Sequence, residues 1–397
     1  MADVVGIICE YDPFHTGHQR QFSLIRERLP NARIVCVMSG CFTQRGMPAL
    51  YAPAFRAHAA LRAGADLVLE LPALFALRDG ERFALGGVSI LHQLGFVTHI
   101  SFGCENENLS LLSDAAAVLE QADDLFSASL KTHLQTGKPF AAAQGLALAE
   151  ALKRNSSLPI GEEAMLPALL ASPNNILAIC YLRALLRLRS PIQPLPVLRV
   201  GAYHSQALTD SGFPSATAVR QSILRGDFDA AENACDYTLP KEPLCLPAAL
   251  DNVLLAKLRQ MNLPALAALP DCSEGLEHLL YRSCREATDR ASLLNQLKSK
   301  RYTYARLNRL LAHAFLDITQ DLSAAFPLPP YVRLLGLRKE SEYLLSAMRK
   351  NPFPLIAKAA DGPENPAYAL DIRAYDAWAL GAKIPAGLML RQPVQVL

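Results

Sequence analysis

His15-Thr16-Gly17-His18 is the run of this sequence best equipped for chemistry. Two imidazoles three residues apart at the start of a helix point to one side, toward whatever lies in front of it. The unpaired N–H groups and the dipole of a helix N-terminus favour an anion at the same place, above all a phosphate. Gly17 removes a Cβ that would hinder a ligand from approaching the backbone. Pro13 stiffens the turn leading in. Charge that builds on an α-phosphate during attack can then be met by two imidazole hydrogen bonds. A second set lies in "SATAVR" (215–220), where hydroxyls at a helix start and one Arg make a polyphosphate clamp. Read alone, Ser215 is equally an N-cap. The His pair could be half a metal site, but no Cys or His stands near it at a ligand spacing, so no metal ligands are assigned.

These residues need elements to hold them. "VVGIIC" (4–9), "RIVCVMSG" (33–40), "ADLVLELP" (65–72) and "VTHISFG" (97–103) are Val/Ile-rich runs, separated by segments of helical spacing at 17–28, 53–63 and 80–94. That alternation predicts an α/β protein with a parallel sheet buried on both faces and right-handed crossovers. Ligands in such sheets sit beyond the carboxyl ends of the strands. Glu10 to His18, Ser39 to Gly46, Glu70, and Gly103 to Glu105 all follow strands and are expected around one mouth. Residues 107–190 read as mostly helical, 194–201 as one more strand, and 215–226 as a helix capped by Ser215 or Thr217 and ended by Gly226. Beyond Asp229 come Leu/Ala/Arg helices with Pro-rich joints, which puts an expected boundary near 235. The division is then a nucleotide-binding domain over 1–234 and a mainly helical domain over 235–397. Residues 365–382 are expected to hold a short strand or two.

The 397 residues are 51% apolar, enough for a sizeable core. A net charge of +2 argues neither for nor against nucleic acid. No stretch of membrane-spanning length is free of charge, and the N-terminus lacks the basic and apolar blocks of a secretory signal. Nine Cys without a Cys-x-x-Cys pair fit a reduced, cytoplasmic protein.

"HTGH" after a first parallel strand resembles the HxGH nucleotidyltransferases, relatives of class I aminoacyl-tRNA synthetases, and "SATAVR" resembles their late Ser/Thr-x-x-x-Arg signature. "GIICEYDPFHTGH", "VMSGCFTQRGMPA", "GADLVLELP", "ERFALGGVSIL", "SFGCE", "SPNNILAICYL" and "KRYTYARLNRLL" together resemble the bacterial tRNA(Met) cytidine acetate ligases, in family order from residue 6 to about 311. The resemblance implies a Rossmann-like sheet with a mainly helical C-terminal domain. It implies that ATP, accompanied by magnesium, and acetate give an acetyl-adenylate and pyrophosphate. The acetyl group then passes to the wobble cytidine of elongator tRNA(Met), giving 4-acetylcytidine without acetyl-CoA. In the ATP site it implies Ile7, Ile8, Cys9, Glu10, Tyr11, Asp12, Pro13, Phe14, His15, Thr16, Gly17, His18, Gln19 and Arg20, with both His catalytic. It adds Gly103, Asn174 or Asn175, Arg199, Ser215, Thr217 and Arg220. One departure is Asp12, where the family has Asn: a carboxylate beside a triphosphate is unfavourable unless a cation or Arg45 offsets it.

Around the same mouth, Arg45 is a candidate for acetate or a phosphate through paired hydrogen bonds, and Gln44 for orienting the acyl group. Glu70 is either a base for the cytidine amine or a partner for a neighbouring turn, and the second is favoured. His204 is a further candidate from its nearness to Arg199. Residues 291–311 carry five cations and no acid. On one continuous helix Lys298, Arg301, Arg306 and Arg309 would share an arc with Tyr302, opposite Leu307, Leu310 and Leu311, a face suited to RNA phosphates. The alternative activity is a nucleotidyltransferase acting on a small phosphorylated acceptor, which leaves the basic helical half without a purpose. A nucleotide sensor without catalysis would not need both His and the Arg clamp.

Overall fold

The computed structural model describes residues 3–105, 108–138, 140–154, 166, 169, 172–199 and 213–397. Strands β1 (Val4–Cys9), β2 (Arg33–Ser39), β3 (Leu67–Leu71), β4 (His99–Cys104) and β5 (Gln193–Leu198) are parallel and lie in the order β5-β4-β1-β2-β3. Because successive side chains alternate, Val5, Ile7 and Cys9 pack under the helices Thr16–Arg28 and Pro53–Arg62, while Val4, Val35 and Val37 meet the helix Gly80–Gln93 on the other face. Pro at the first turn starts the helices Pro53–Arg62 and Pro173–Arg187, where its missing N–H costs no bond. After β3 the chain returns to place β4 on the far side of β1. The topological switch therefore lies between β1 and β4, with the crevice beyond their carboxyl ends.

The sheet does not stop at the expected boundary near 235. β6 (Val332–Leu337) pairs antiparallel with β3, and β7 (Leu355–Ile356) and β8 (Gln395–Val396) pair with β6, completing eight strands. All of β6 is buried, so it reads as an apolar run with no alternation to mark it among helices. The strands expected within 365–382 are instead one helix, Pro366–Gly381, capped by Asn365 and burying Ala367, Leu370, Ala374, Tyr375 and Trp378 at helical spacing.

A smaller body is all helical. Asp251–Gln260, Leu276–Glu286, Arg290–Leu297 and Tyr304–Leu316 enclose their own apolar cluster, from Leu254 to Ala314. The basic stretch is accordingly not a single helix: it breaks over 298–303, between a helix ending at Leu297 and another capped by Thr303. No helix among the described residues is long and apolar enough to cross a membrane, and the nine Cys are buried and unbridged.

Candidate active site

His15 is the N-cap of the first helix, Thr16–Arg28. Its Nδ1 accepts the Gly17 N–H at 3.1 Å, and the Nδ1 of His18 accepts the His15 N–H at 3.2 Å. The rings stack with centroids 3.8 Å apart. Accepting through Nδ1 places the proton of each neutral ring on Nε2, so both side chains keep an N–H donor beyond the cap. Burial, with Arg199 and Arg220 nearby, pushes the His15 pKa down to about 3 and lowers that of His18, whose neighbour His15 also contributes. Gly17 is required by the pair itself: a Cβ there would stand 2.9 Å from the His15 ring. In front of the pair lie two adjoining cavities of about 300 and about 340 Å³, both bordered by Glu10, Asp12, His15, His18, Asn174, Arg199, Ser215 and Arg220.

The residues of the candidate clamp lie together beside the second cavity. Ser215 caps the helix Ala216–Leu224 through the Ala218 N–H, and Arg220 donates to the Thr217 hydroxyl and to the Asp12 carbonyl. Thr217 borders the second cavity. Asp12 is only 5% exposed, and its Oδ1 accepts the Leu50 N–H at 2.8 Å. Arg220, 3.8 Å from Oδ2, supplies the offsetting cation, the part considered for Arg45.

The Asn pair separates cleanly. Asn174 borders both cavities, accepts from Arg199 at 3.0 Å and donates to Glu105 at 2.5 Å. Asn175 is buried behind it, holding the Glu105 N–H. Gly103 lies against the Arg199 side chain. Gln44 and Arg45 border the first cavity; the Gln44 side chain donates to the Arg78 carbonyl, and its N–H donates to Glu10 Oε1 at 2.6 Å. The Glu10 pKa is raised, by burial first and Asp12 after it, against the Gln44 N–H, Arg220 and Arg45.

Other expected residues fall elsewhere. Of the opening loop, Ile7, Ile8, Cys9, Glu10, Tyr11, Asp12, His15, Gly17, His18 and Arg20 line the first cavity, whereas Pro13, Phe14, Thr16 and Gln19 line neither. Phe14 packs in the core and Gln19 is exposed. Glu70 is not at the mouth: it is buried, bonded to Arg333 at 2.5 Å and to the Tyr375 hydroxyl at 2.9 Å. His204 lies outside the described residues. Arg309 is 8% exposed and paired with Asp271 at 3.0 Å, and Arg306 is spent on the Asp271 carbonyl and Ser273, so neither belongs to an open cationic face. Tyr302 is buried as well, because the interruption of the helix over 298–303 turns it into the core. Lys298 and Arg301 remain exposed, Lys298 over the Tyr304 ring and Arg301 beside exposed Glu274.

Sequence reasoning passed over Ser101, Leu177, Tyr181 and Phe213, which also line the first cavity. Leu177 and Tyr181 follow Asn174 by three and seven residues on one helix face, a spacing that the sequence did show.

The family model described as HIGH Nucleotidyl Transferase matches residues 2–388. A protein of Clostridium perfringens (strain SM101 / Type A) named tRNA(Met) cytidine acetate ligase is 35% identical over 94% of each chain. One of the same name from Thermoanaerobacter sp. (strain X514) is 35% identical over 91% of this chain and 90% of its own. Two solved structures of Thermotoga maritima TmcAL resemble the fold: one bound with alpha-thio ATP, with TM-score 0.87, 26% identity and 99% of each chain covered, and an apo form with TM-score 0.90, 27% identity and coverage of 100% and 99%. The imidazole pair at the switch point, the Arg clamp and this likeness over nearly the whole length agree, and the chain belongs to the HIGH nucleotidyltransferases, in the family of the tRNA(Met) cytidine acetate ligases.

Proposed function

We propose that this protein acetylates the wobble cytidine of elongator tRNA(Met), using ATP and acetate and passing through an acetyl-adenylate. The observation that carries the reading is the capped His pair, with two Nε2–H donors beside the Arg220 clamp on one cavity wall. An acetate oxygen attacks the α-phosphorus, the bond to the bridging oxygen breaks, and pyrophosphate leaves with the electron pair. Negative charge grows on the α-phosphoryl oxygens, where His15 and His18 donate. Arg220, with Ser215 and Thr217, receives the β- and γ-phosphates, and Asn174 and Arg199 close the nucleotide side. Gln44 and Arg45 are the acetate candidates, since a guanidinium matches a carboxylate. Among the described residues no three His, Cys, Asp or Glu gather to hold a metal, so magnesium would arrive on the triphosphate. Lys298 and Arg301 are the proposed contacts to tRNA phosphates.

The test is incorporation of labelled acetate into purified tRNA, leaving out ATP, acetate and tRNA in turn and offering acetyl-CoA as the alternative donor. Label in elongator tRNA(Met) that needs ATP and ignores acetyl-CoA supports the reading. Transfer of adenylate to a small phosphorylated acceptor, with no label in RNA, would replace it.

A further inference from the structure

When a cytidine amine becomes an amide it sheds a proton, and the scheme above leaves the acceptor of that proton unassigned. We propose that Glu10, a carboxylate set on the wall common to both cavities, takes it. The proposal rests on the acetylating reading of this site.

The imidazoles and the other carboxylate at the described cavity walls are already engaged. His15 and His18 each use Nδ1 on a backbone N–H, and the remaining nitrogen already carries the proton. Neither ring accepts another without breaking its cap. Among the described residues, Asp12 and Glu10 are the carboxylates that border the cavities. Asp12 holds the Leu50 N–H and faces Arg220. Glu70, the alternative from its place after β3, is locked to Arg333 and Tyr375 away from both cavities. Glu10 differs: its Oε1 is fixed by the Gln44 N–H at 2.6 Å and by the Ser39 hydroxyl at 3.4 Å, and Oε2 makes no hydrogen bond among the described residues. One oxygen is anchored and the other is available, the arrangement a positioned base needs.

In the step itself the N4 lone pair adds to the acetyl carbonyl carbon and the C–N bond forms. The C–O bond to phosphate breaks, and its electron pair leaves on AMP. The N4 proton passes to Glu10 Oε2 and from there to water. Burial, joined by Asp12, raises the pKa of Glu10; the Gln44 N–H, Arg220 and Arg45 pull it back, and Tyr181 faces it from the helix Pro173–Arg187.

Glu10→Gln keeps the shape and the acceptor for Gln44. Two readouts on the full chain separate the steps: acetate-dependent exchange of labelled pyrophosphate into ATP, and acetyl transfer to purified elongator tRNA(Met). We expect transfer to fall about a hundredfold more than exchange falls. Transfer by the parent should rise with pH through the carboxylate's titration, and the variant's residual transfer should be flat. Glu10→Asp should recover part of the transfer. Equal loss of both steps, or an unchanged transfer profile, overturns the role of Glu10. A parent protein with no acetate-dependent exchange at all overturns the acetylating reading instead.

Discussion

Each imidazole of the His15–His18 pair lends its Nδ1 to the helix start, which fixes its tautomer before any ligand arrives. His18→Ala should keep the fold and lose on the order of a hundredfold or more in pyrophosphate exchange, the usual weight of a donor at developing charge. His15→Ala should lose as much and in addition about 1 kcal/mol of stability, because the N-cap goes with it. The pair also makes stability depend on pH. The folded pKa of His15, about 3, lies below the unfolded value, so the unfolded chain takes up the proton first as pH falls. Stability is full above about pH 6.5 and declines below it, by on the order of 2 kcal/mol from His15 at pH 5. Urea midpoints between pH 7.5 and about 5 should show this slope, and His15→Gln should reduce it. The Asn pair gives a contrast. Asn174→Ala should weaken ATP binding roughly tenfold without lowering the melting temperature, whereas Asn175→Ala removes a buried side chain and the acceptor of the half-buried Glu105 N–H and should cost about 1 kcal/mol or more. Calorimetric titration and thermal melting of both variants distinguish the two.

At the scale of elements, the strand ends are tied by a cation with no exposure. Arg56 donates to the carbonyls of Glu10, Ser39, Gly40 and Tyr51, joining the carboxyl ends of β1 and β2 to the loop that follows. Its charge is met by carbonyl dipoles, which a buried guanidinium fork can gather and an ammonium cannot. Arg56→Met should therefore cost about 3 kcal/mol or more, read from the urea midpoint, and Arg56→Lys should recover under half of it. A second tie crosses to the C-terminal strands. Glu70→Gln would leave the Arg333 guanidinium buried without its counter-charge, at a cost of about 3–5 kcal/mol. The parallel strands were legible because each run of Val and Ile is buried on both faces. β6 was not, since its only signal was a short apolar run and its partner β3 lies some 260 residues earlier. The helix Pro366–Gly381 carried its N-cap Asn365 and first-turn Pro366 in plain view, signals that outrank a strand reading.

For the whole molecule, the loop bearing Gln44 and Arg45 lies against the helical body. Gly46, at φ +78°, packs so closely on the Asn308–Arg309 backbone that a Cβ would come within 2.5 Å of it. Arg290 reaches Met47 in the same contact. The surface proposed for RNA and the proposed acetate loop are therefore joined through the helix Tyr304–Leu316. Lys298→Glu with Arg301→Glu should leave acetate-dependent exchange near the parent's level and weaken tRNA binding. The plot of log K against log salt should flatten by about 1.5 units for two lost phosphate contacts. Arg309→Glu should instead destabilise the helical body, since it places a second carboxylate against Asp271. Filter binding at several salt concentrations and thermal melting check the pair.

What the sequence determined by itself was local: the strand–turn–helix holding the two His, a capped helix start at Ser215 or Thr217, the places of the parallel strands along the chain, and a resemblance written in contiguous blocks. These signals act over a few residues, where spacing dictates geometry. Only the tertiary structure decided which side chains are free to act. Asp12 and Glu10 are carboxylates two residues apart, yet one is spent on Leu50 and Arg220 while the other keeps an oxygen available. Arg309 and Arg301 belong to one basic stretch, and the break at 298–303 buries the first and exposes the second. Partners of this kind come from distant parts of the chain, and burial, which sets both hydrogen bonding and proton affinity, exists only once those parts have packed.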